Sequence, residues 1–127
     1  MADIPEDLLY NSDHDWVRIE GDIGTCGITD YAQGELGDIV FLELPEVGDL
    51  VAQGESYGTI EAVKTVSDLI SPISGEIVEV NTQLTDDASL VNVEPYAEGW
   101  MIQVRLSDPS ETEVLLDASG YAGILDE

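Results

Sequence analysis

Gly58-Thr59-Ile60-Glu61-Ala62-Val63-Lys64-Thr65-Val66-Ser67-Asp68 contains the only lysine of the chain, and the fold turns on how this stretch is read. Ile60, Val63, Val66 and, just beyond, Ile70 recur at spacings of three, three and four, which suit one face of a helix. The residue types argue against a helix. Thr59, Ile60, Val63, Thr65, Val66 and Ile70 are all β-branched, stiff at χ1 and at home in strands. Gly58 and Pro72 also confine the window to little more than a dozen residues. A hairpin with its tip near Val63-Lys64 fits better, with no Asn-Gly or Asp-Gly to mark the turn.

Outward from this hairpin, short β-branched runs broken by glycine dominate. Trp16 to Ile19 alternates apolar and polar residues, Gly21-Asp22 turns the chain, and Ile23 to Ile28 follows. Ile39 to Leu44 reads as a buried strand stopped by Pro45. Leu50 to Ala52, Ser56 to Ile60, Asp68 to Ile70, Glu76 to Val80 and Gly99 to Leu106 are further strands. Turn signals at intervals of roughly 8–12 residues point to a sandwich or small barrel. Two helical pieces interrupt it. Thr29 or Asp30 caps a turn from Tyr31 to Leu36 that Gly37 ends. Ser107-Asp108-Pro109 starts a C-terminal helix, and Tyr121, Ile124 and Leu125 suggest a second.

A glycine-acid-Ile/Leu-Val pattern occurs at Gly37 to Val40, Gly48 to Val51 and Gly75 to Val78. The last two copies flank the lysine segment and hint at two similar half-sheets.

The 127 residues form one domain, 1–127, long enough to bury about two-thirds of its unfolded surface. An apolar fraction of 43% is that of a globular chain, so a formal charge of -25 does not mean disorder. That charge repels phosphate backbones and anionic lipid, which argues against nucleic-acid and membrane partners. Self-repulsion on this scale also suggests adaptation to high salt. No apolar run reaches the roughly 18 residues of a spanning helix. The start, MADIPEDLLY, has neither the basic n-region nor the apolar h-region of a signal, which leaves the cytoplasm as the expected location. Cys26 is alone in a strand-like setting and reads as a small buried hydrophobe. With one His and one Cys no zinc site of nitrogen and sulfur ligands assembles, and no D-x-D-x-D-G loop offers calcium ligands. Phosphate-loop and nucleophile-elbow motifs are missing, so a catalyst is the least supported reading.

Lysine is commonly a solvated surface residue, but here every other position has avoided it. Glu61 and Asp68 offset its charge, a task arginine could share. A retained amine points to acylation, imine formation or proton transfer. The last two need a desolvated pocket that lowers the lysine pKa, which flanking carboxylates oppose. Acylation by another enzyme needs only exposure and a recognisable fold, so a modification site is favoured.

Glu61-Ala62-Val63-Lys64-Thr65-Val66-Ser67-Asp68 resembles the lipoyl-lysine motif E-S-V-K-x-x-S-D of the glycine cleavage H-protein family. His14-Asp15-Trp16-Val17 resembles that family's H-E-W-V. The likeness continues through Gly27 to Gln33, Leu36 to Pro45, Ser71 to Asn81, Leu90-Val91-Asn92 and Pro95 to Trp100. It covers nearly the whole chain, from Leu9 to about Leu125.

The resemblance implies a mainly β fold. This is the lipoyl/biotinyl-type flattened β-barrel (barrel-sandwich hybrid), with short helices after the second strand and at the C-terminus. It implies lipoate amide-linked to Lys64, within the flanking motif of Glu61 and Asp68, on a protein that itself catalyses nothing. The arm would take the aminomethyl group of glycine from glycine decarboxylase (P protein), a pyridoxal-phosphate enzyme. Aminomethyltransferase (T protein) would pass the one-carbon unit to tetrahydrofolate. Dihydrolipoyl dehydrogenase (L protein) would reoxidise the arm with NAD, after a lipoate-attaching enzyme has loaded it. The family's loaded arm folds into a cleft near the H-E-W segment, which here implicates His14, Asp15 and Glu35, with Asp15 one methylene shorter than the family's acid. Trp16 reads as core, and His14 as hydrogen-bonded to backbone. A biotin carrier would present methionine on both sides of the lysine, where Val63 and Thr65 stand. A 2-oxoacid dehydrogenase lipoyl domain would show D-K-A and lack the His14 and C-terminal segments. An interaction module or lipoyl relay is the reading from a different class.

Overall fold

The computed structural model describes residues 4–125. Its strands are β1 (Leu9–Tyr10), β2 (Asp15–Glu20), β3 (Ile23–Ile28), β4 (Ile39–Glu43), β5 (Leu50–Val51), β6 (Ser56–Ala62), β7 (Val66–Ile70), β8 (Gly75–Val80) and β9 (Ile102–Leu106). Helices α1 (Asp30–Leu36), α2 (Gln83–Asp86), α3 (Leu90–Val93) and α4 (Ala118–Leu125) lie between and after them. The chain is mainly β, as the turn spacing indicates. Two antiparallel sheets form, a six-stranded one in the order β1-β2-β3-β9-β8-β5 and a three-stranded one in the order β4-β6-β7.

The main core lies between the sheets. Val17, Cys26, Ile28, Ile77, Ile102 and Val104 face Ile39, Leu42, Ile60 and Leu69, all buried. Alternation sets which residues take part: in β9, Ile102, Val104 and Leu106 point inward while Arg105 is exposed. Each aliphatic side chain so buried contributes about 1.5–3 kcal/mol against solvent exposure. Cys26 is fully buried, which pushes its thiol pKa up and leaves it a packing residue.

A second, smaller core sits on the other side of β2, made of Leu8, Tyr10, Trp16 and Tyr121. Tyr10 and Tyr121 stack at 4.7 Å, and the Trp16 indole donates to the Pro95 carbonyl at 3.0 Å. Trp16 is therefore core, and its ring lies over Gly27, its cross-strand partner. This core docks α4 onto the sheet.

The repeated pattern hints at two similar half-sheets, whereas the segments that carry its second and third copies are neighbours in one sheet. β5 and β8 carry its second and third copies and pair antiparallel, Leu50 with Glu76 and Val51 with Gly75. Other features depart from the sequence reading. Leu9–Tyr10 adds a strand before β2, so α1 follows the third strand rather than the second. The one-turn helices α2 and α3 were not anticipated, and the last strand starts at Ile102 rather than Gly99. Asp108 does cap the proline turn, accepting from the Ser110 N–H at 3.1 Å, but Pro109–Val114 is a 3₁₀ turn.

Candidate functional site

The segment at issue is a hairpin. β6 and β7 pair Thr59 with Asp68, Ile60 with Ser67 and Glu61 with Val66. The Ala62 N–H donates to the Thr65 carbonyl at 2.7 Å, leaving Val63 and Lys64 as the loop. Among the described residues only His14 has positive φ outside glycine, so this loop is not one of the primed turns that favour hairpins. Its neighbours hold it instead. The Val63 N–H donates to the Asp38 carbonyl at 3.1 Å, tying the tip to the entry of β4.

Lys64 is exposed, and its stem lies over Gly37, where an added Cβ would meet Cε at 3.4 Å. Gly37 ends α1: its N–H donates to the Gln33 carbonyl at 2.9 Å, and its φ of +82° suits glycine. At the other end of α1 the Thr29 hydroxyl accepts from the Ala32 N–H. Asn92, on α3, staples this turn in place. Its amide donates to the Gly37 carbonyl at 2.8 Å and to Gln33 Oε1 at 3.0 Å, while Oδ1 accepts from the Ile39 N–H at 2.9 Å.

Beside the hairpin lies a cleft of about 270 Å³, lined by Asp13, His14, Asp15, Ile28, Tyr31, Ala32, Glu35, Leu36, Ile60, Ser67, Asp68 and Leu69. Its volume falls just below the range of small-molecule pockets, which suits a narrow chain. His14, Asp15, Glu35 and Asp68 thus come together, whereas Glu61 faces solvent outside the cleft. Leu36 connects the two places, since it lines the cleft and precedes the glycine under the Lys64 stem.

His14 bonds to a side chain rather than to backbone. Its Nδ1 lies 2.8 Å from the Tyr121 hydroxyl, which lies 2.7 Å from Thr29 Oγ1. The backbone at His14 is left-handed, φ +69°, a conformation that costs on the order of 1–3 kcal/mol. The local fold holds it there. Asn11 Oδ1 accepts from the Asp13 and Asp15 N–H groups, the His14 N–H donates to the Asn11 carbonyl, and its carbonyl accepts from Thr29. Burial lowers the His14 pKa, against the raising influence of Asp13 and Glu35. Burial also pushes the Tyr121 phenol up to about 12. Tyr31, Tyr121, Thr29 and Asn92 carry this architecture, and the sequence reading gave none of them a role at the site.

Asp15 is 2% exposed, and burial raises its pKa well above the ordinary carboxylate value, opposed by the hydrogen bond from Asn11 Nδ2 at 3.2 Å. A folded-state pKa above the unfolded one gives stability that is full below the unfolded value and is lost as pH rises through the folded one. Asp15→Asn removes that loss. The variant is expected to melt above wild type at neutral pH, with the gap narrowing as pH falls and closed by about 4. Melting curves of both proteins across pH check it; a gap that stays constant would show that ionisation of Asp15 is not its source.

The family model described as Glycine cleavage H-protein matches residues 8–127. The glycine cleavage system H protein of Rubrobacter xylanophilus is 58% identical over 127 residues, 100% of this chain and 98% of its own length. That of Staphylococcus carnosus is 51% identical over 124 residues, 98% of each. The crystal structure of a glycine cleavage system H protein from Mycobacterium marinum superposes with a TM-score of 0.89 at 46% identity, covering 98% of this chain and 100% of that one.

Proposed function

Because this chain belongs to the glycine cleavage H-protein family, we propose that it is a non-catalytic carrier, one domain over residues 1–127, with lipoate amide-linked to Lys64. It serves glycine decarboxylase, aminomethyltransferase and dihydrolipoyl dehydrogenase in turn, in the cytoplasm, after a lipoate-attaching enzyme has modified it. The observation that carries this reading is the sole lysine, exposed at a braced hairpin tip beside a narrow cleft. When bound, the lipoyl disulfide supplies the chemistry, accepting the aminomethyl group left after glycine is decarboxylated.

The residues of the chain supply position and polarity. Ile28, Ala32, Leu36, Ile60 and Leu69 offer apolar walls to a hydrocarbon chain folded into the cleft. Asp15 is buried and accepts from Asn11 Nδ2 at 3.2 Å, so its role there is hydrogen bonding. Glu35 and Asp68, both exposed, are the carboxylates that receive an amino group. Glu61 belongs to the surface around the lysine rather than to the cleft.

The direct test is to incubate the lipoylated protein with cognate glycine decarboxylase and glycine, and to weigh the product. Gain of an aminomethyl group is expected. Efficient acylation by a 2-oxoacid dehydrogenase, with no transfer from glycine, would move the chain to the other lipoyl family.

A charge of -25 further supports adaptation to high salt. The few cations do little to relieve it: Arg18, for one, donates to the Tyr96 carbonyl at 3.0 Å and lies 5.2 Å over the Trp16 ring. Charges repel across a Debye length of about 30 Å at 0.01 M salt and about 3 Å at 1 M. The melting temperature is therefore expected to climb with salt up to the molar range. A flat series would mean that the fold tolerates its charge without screening.

A further inference from the structure

Four large apolar side chains lie exposed around the tip of the lysine hairpin: Val40 (52%), Phe41 (53%), Val63 (76%) and Val66 (62%). Register explains how they gather. β4 and β6 pair Ile39 with Ala62 and Phe41 with Glu61, so Val40 is the extra residue of a β-bulge. The bulge turns both Val40 and Phe41 to solvent while Ile39 and Leu42 stay in the core. Glu61 pairs with Phe41 on one side and Val66 on the other, which sets these three side by side on the outer face of the small sheet. Val63 is bonded through its N–H to Asp38, at the entry of the same strand. Contiguous exposed apolar surface usually marks an interaction site. Lys64 follows Val63 directly in the hairpin loop beside this one.

We infer that the outward face formed by Val40, Phe41, Val63 and Val66 is the surface on which the lipoate-attaching enzyme seats while it acylates Lys64. This rests on the acylation proposed above. Reach selects the occupant. The unmodified lysine has only a four-carbon stem, so the enzyme that forms the amide must bring its reacting carbon almost to the hairpin backbone. Its active-site mouth then necessarily covers the side chains flanking the tip. Enzymes that act at the far end of the finished arm can work from further away. In the covered step the neutral Nζ attacks the acyl carbon of lipoyl adenylate, a C–N bond forms, the C–O bond to adenylate breaks, and the amine's proton leaves to solvent. Glu61 lies within the face, between Phe41 and Val66, and the exposed Asp38 and Glu43 stand at the two ends of β4, so the face also carries negative charge. The fitting partner therefore presents apolar side chains together with basic ones.

The test uses the full unmodified chain, lipoyl adenylate and the cognate attaching enzyme, with intact mass as the readout. Phe41→Ser and the near-isosteric Val66→Thr are expected to lower kcat/KM for acylation about tenfold and a few-fold respectively, chiefly through KM. Phe41→Leu should restore most of the loss. Leu50→Ser changes an equally apolar residue, 81% exposed on β5 of the other sheet, and should react like wild type. Rates in wild type should fall as salt rises. Wild-type rates for Phe41→Ser and Val66→Thr, with melting unchanged, would overturn the assignment. So would a concentration-dependent dimer that these variants dissolve without slowing acylation, since a second copy would then be the occupant. Failure of the wild-type chain itself to accept lipoate would instead count against the carrier reading beneath it.

Discussion

Lys64→Arg is expected to abolish lipoate attachment and glycine-dependent turnover while the melting temperature stays at the wild-type value. The side chain is exposed at a loop, where substitutions typically change stability by no more than about 0.5 kcal/mol. Arginine preserves the positive charge and a long stem, but its guanidinium stays protonated and is a poor acyl acceptor. No other lysine can take over the modification. Peptide mapping separates Lys64 from the α-amino group as a site. Sustained turnover by the arginine variant would remove the lipoyl-lysine from the mechanism altogether.

Gly58→Ala is expected to cost about 3 kcal/mol, near the upper end of overpacking penalties. Gly58 lies in β6, and an added Cβ would sit 2.2 Å from the Glu43 carbonyl oxygen and 3.6 Å from Leu44 Cα. These are backbone atoms of the last residue of β4 and the residue after it, so no side chain can swing aside to relieve the clash. β4 would have to separate from β6 near the Glu43–Thr59 and Leu42–Ile60 pairs, and both Leu42 and Ile60 are core residues. At roughly 4 °C per kcal/mol for a chain of this size, the melting temperature should drop by about 12 °C. Gly34→Ala is the matched control. Gly34 lies within α1 with nothing near its missing Cβ, and alanine there should stabilise by up to about 1 kcal/mol. Equal melting temperatures for the two variants would show that the strands part easily at Gly58.

Composition and spacing gave conflicting accounts of residues 58–68, and composition prevailed. Ile60 is buried, but Val63 and Val66 are exposed, so the helix-like spacing was not a buried stripe. It mixed core residues with surface ones. The same β-branched content that marks strands led correctly to β6 and β7. Thr29 and Gly37 punctuate α1 as expected because capping depends on residues close in sequence. What stayed hidden is either too short or too distant. β1 has two residues and is fixed by pairing with β2 and by a bridge from Tyr10 to Leu116, which no local periodicity can announce. α2 and α3 are single turns, too brief for a 3.6-residue pattern. The resemblance included Asn92, but its hydrogen bonds cross more than fifty positions. The His14–Tyr121 contact crosses 107. Family likeness indicated a cleft near His14 and Glu35, and it could not reveal that Asp15 is buried or that Tyr121 reaches the same wall.

The small core of Leu8, Tyr10, Trp16 and Tyr121 bears on how the protein is made. Ribosomes deliver a chain from its N-terminus, and earlier segments begin to fold while later ones are still being added. Every residue that lines the cleft is synthesised well before Tyr121, yet the His14 side of the cleft is held by that tyrosine's hydroxyl. The hairpin can therefore present its lysine while the cleft wall beside it is still unbraced. A chain released before residue 121 would keep the lysine while lacking both the ring that stacks on Tyr10 and the hydroxyl that joins His14 to Thr29. Such a premature product would offer an acceptor for the arm without a finished place to shelter it.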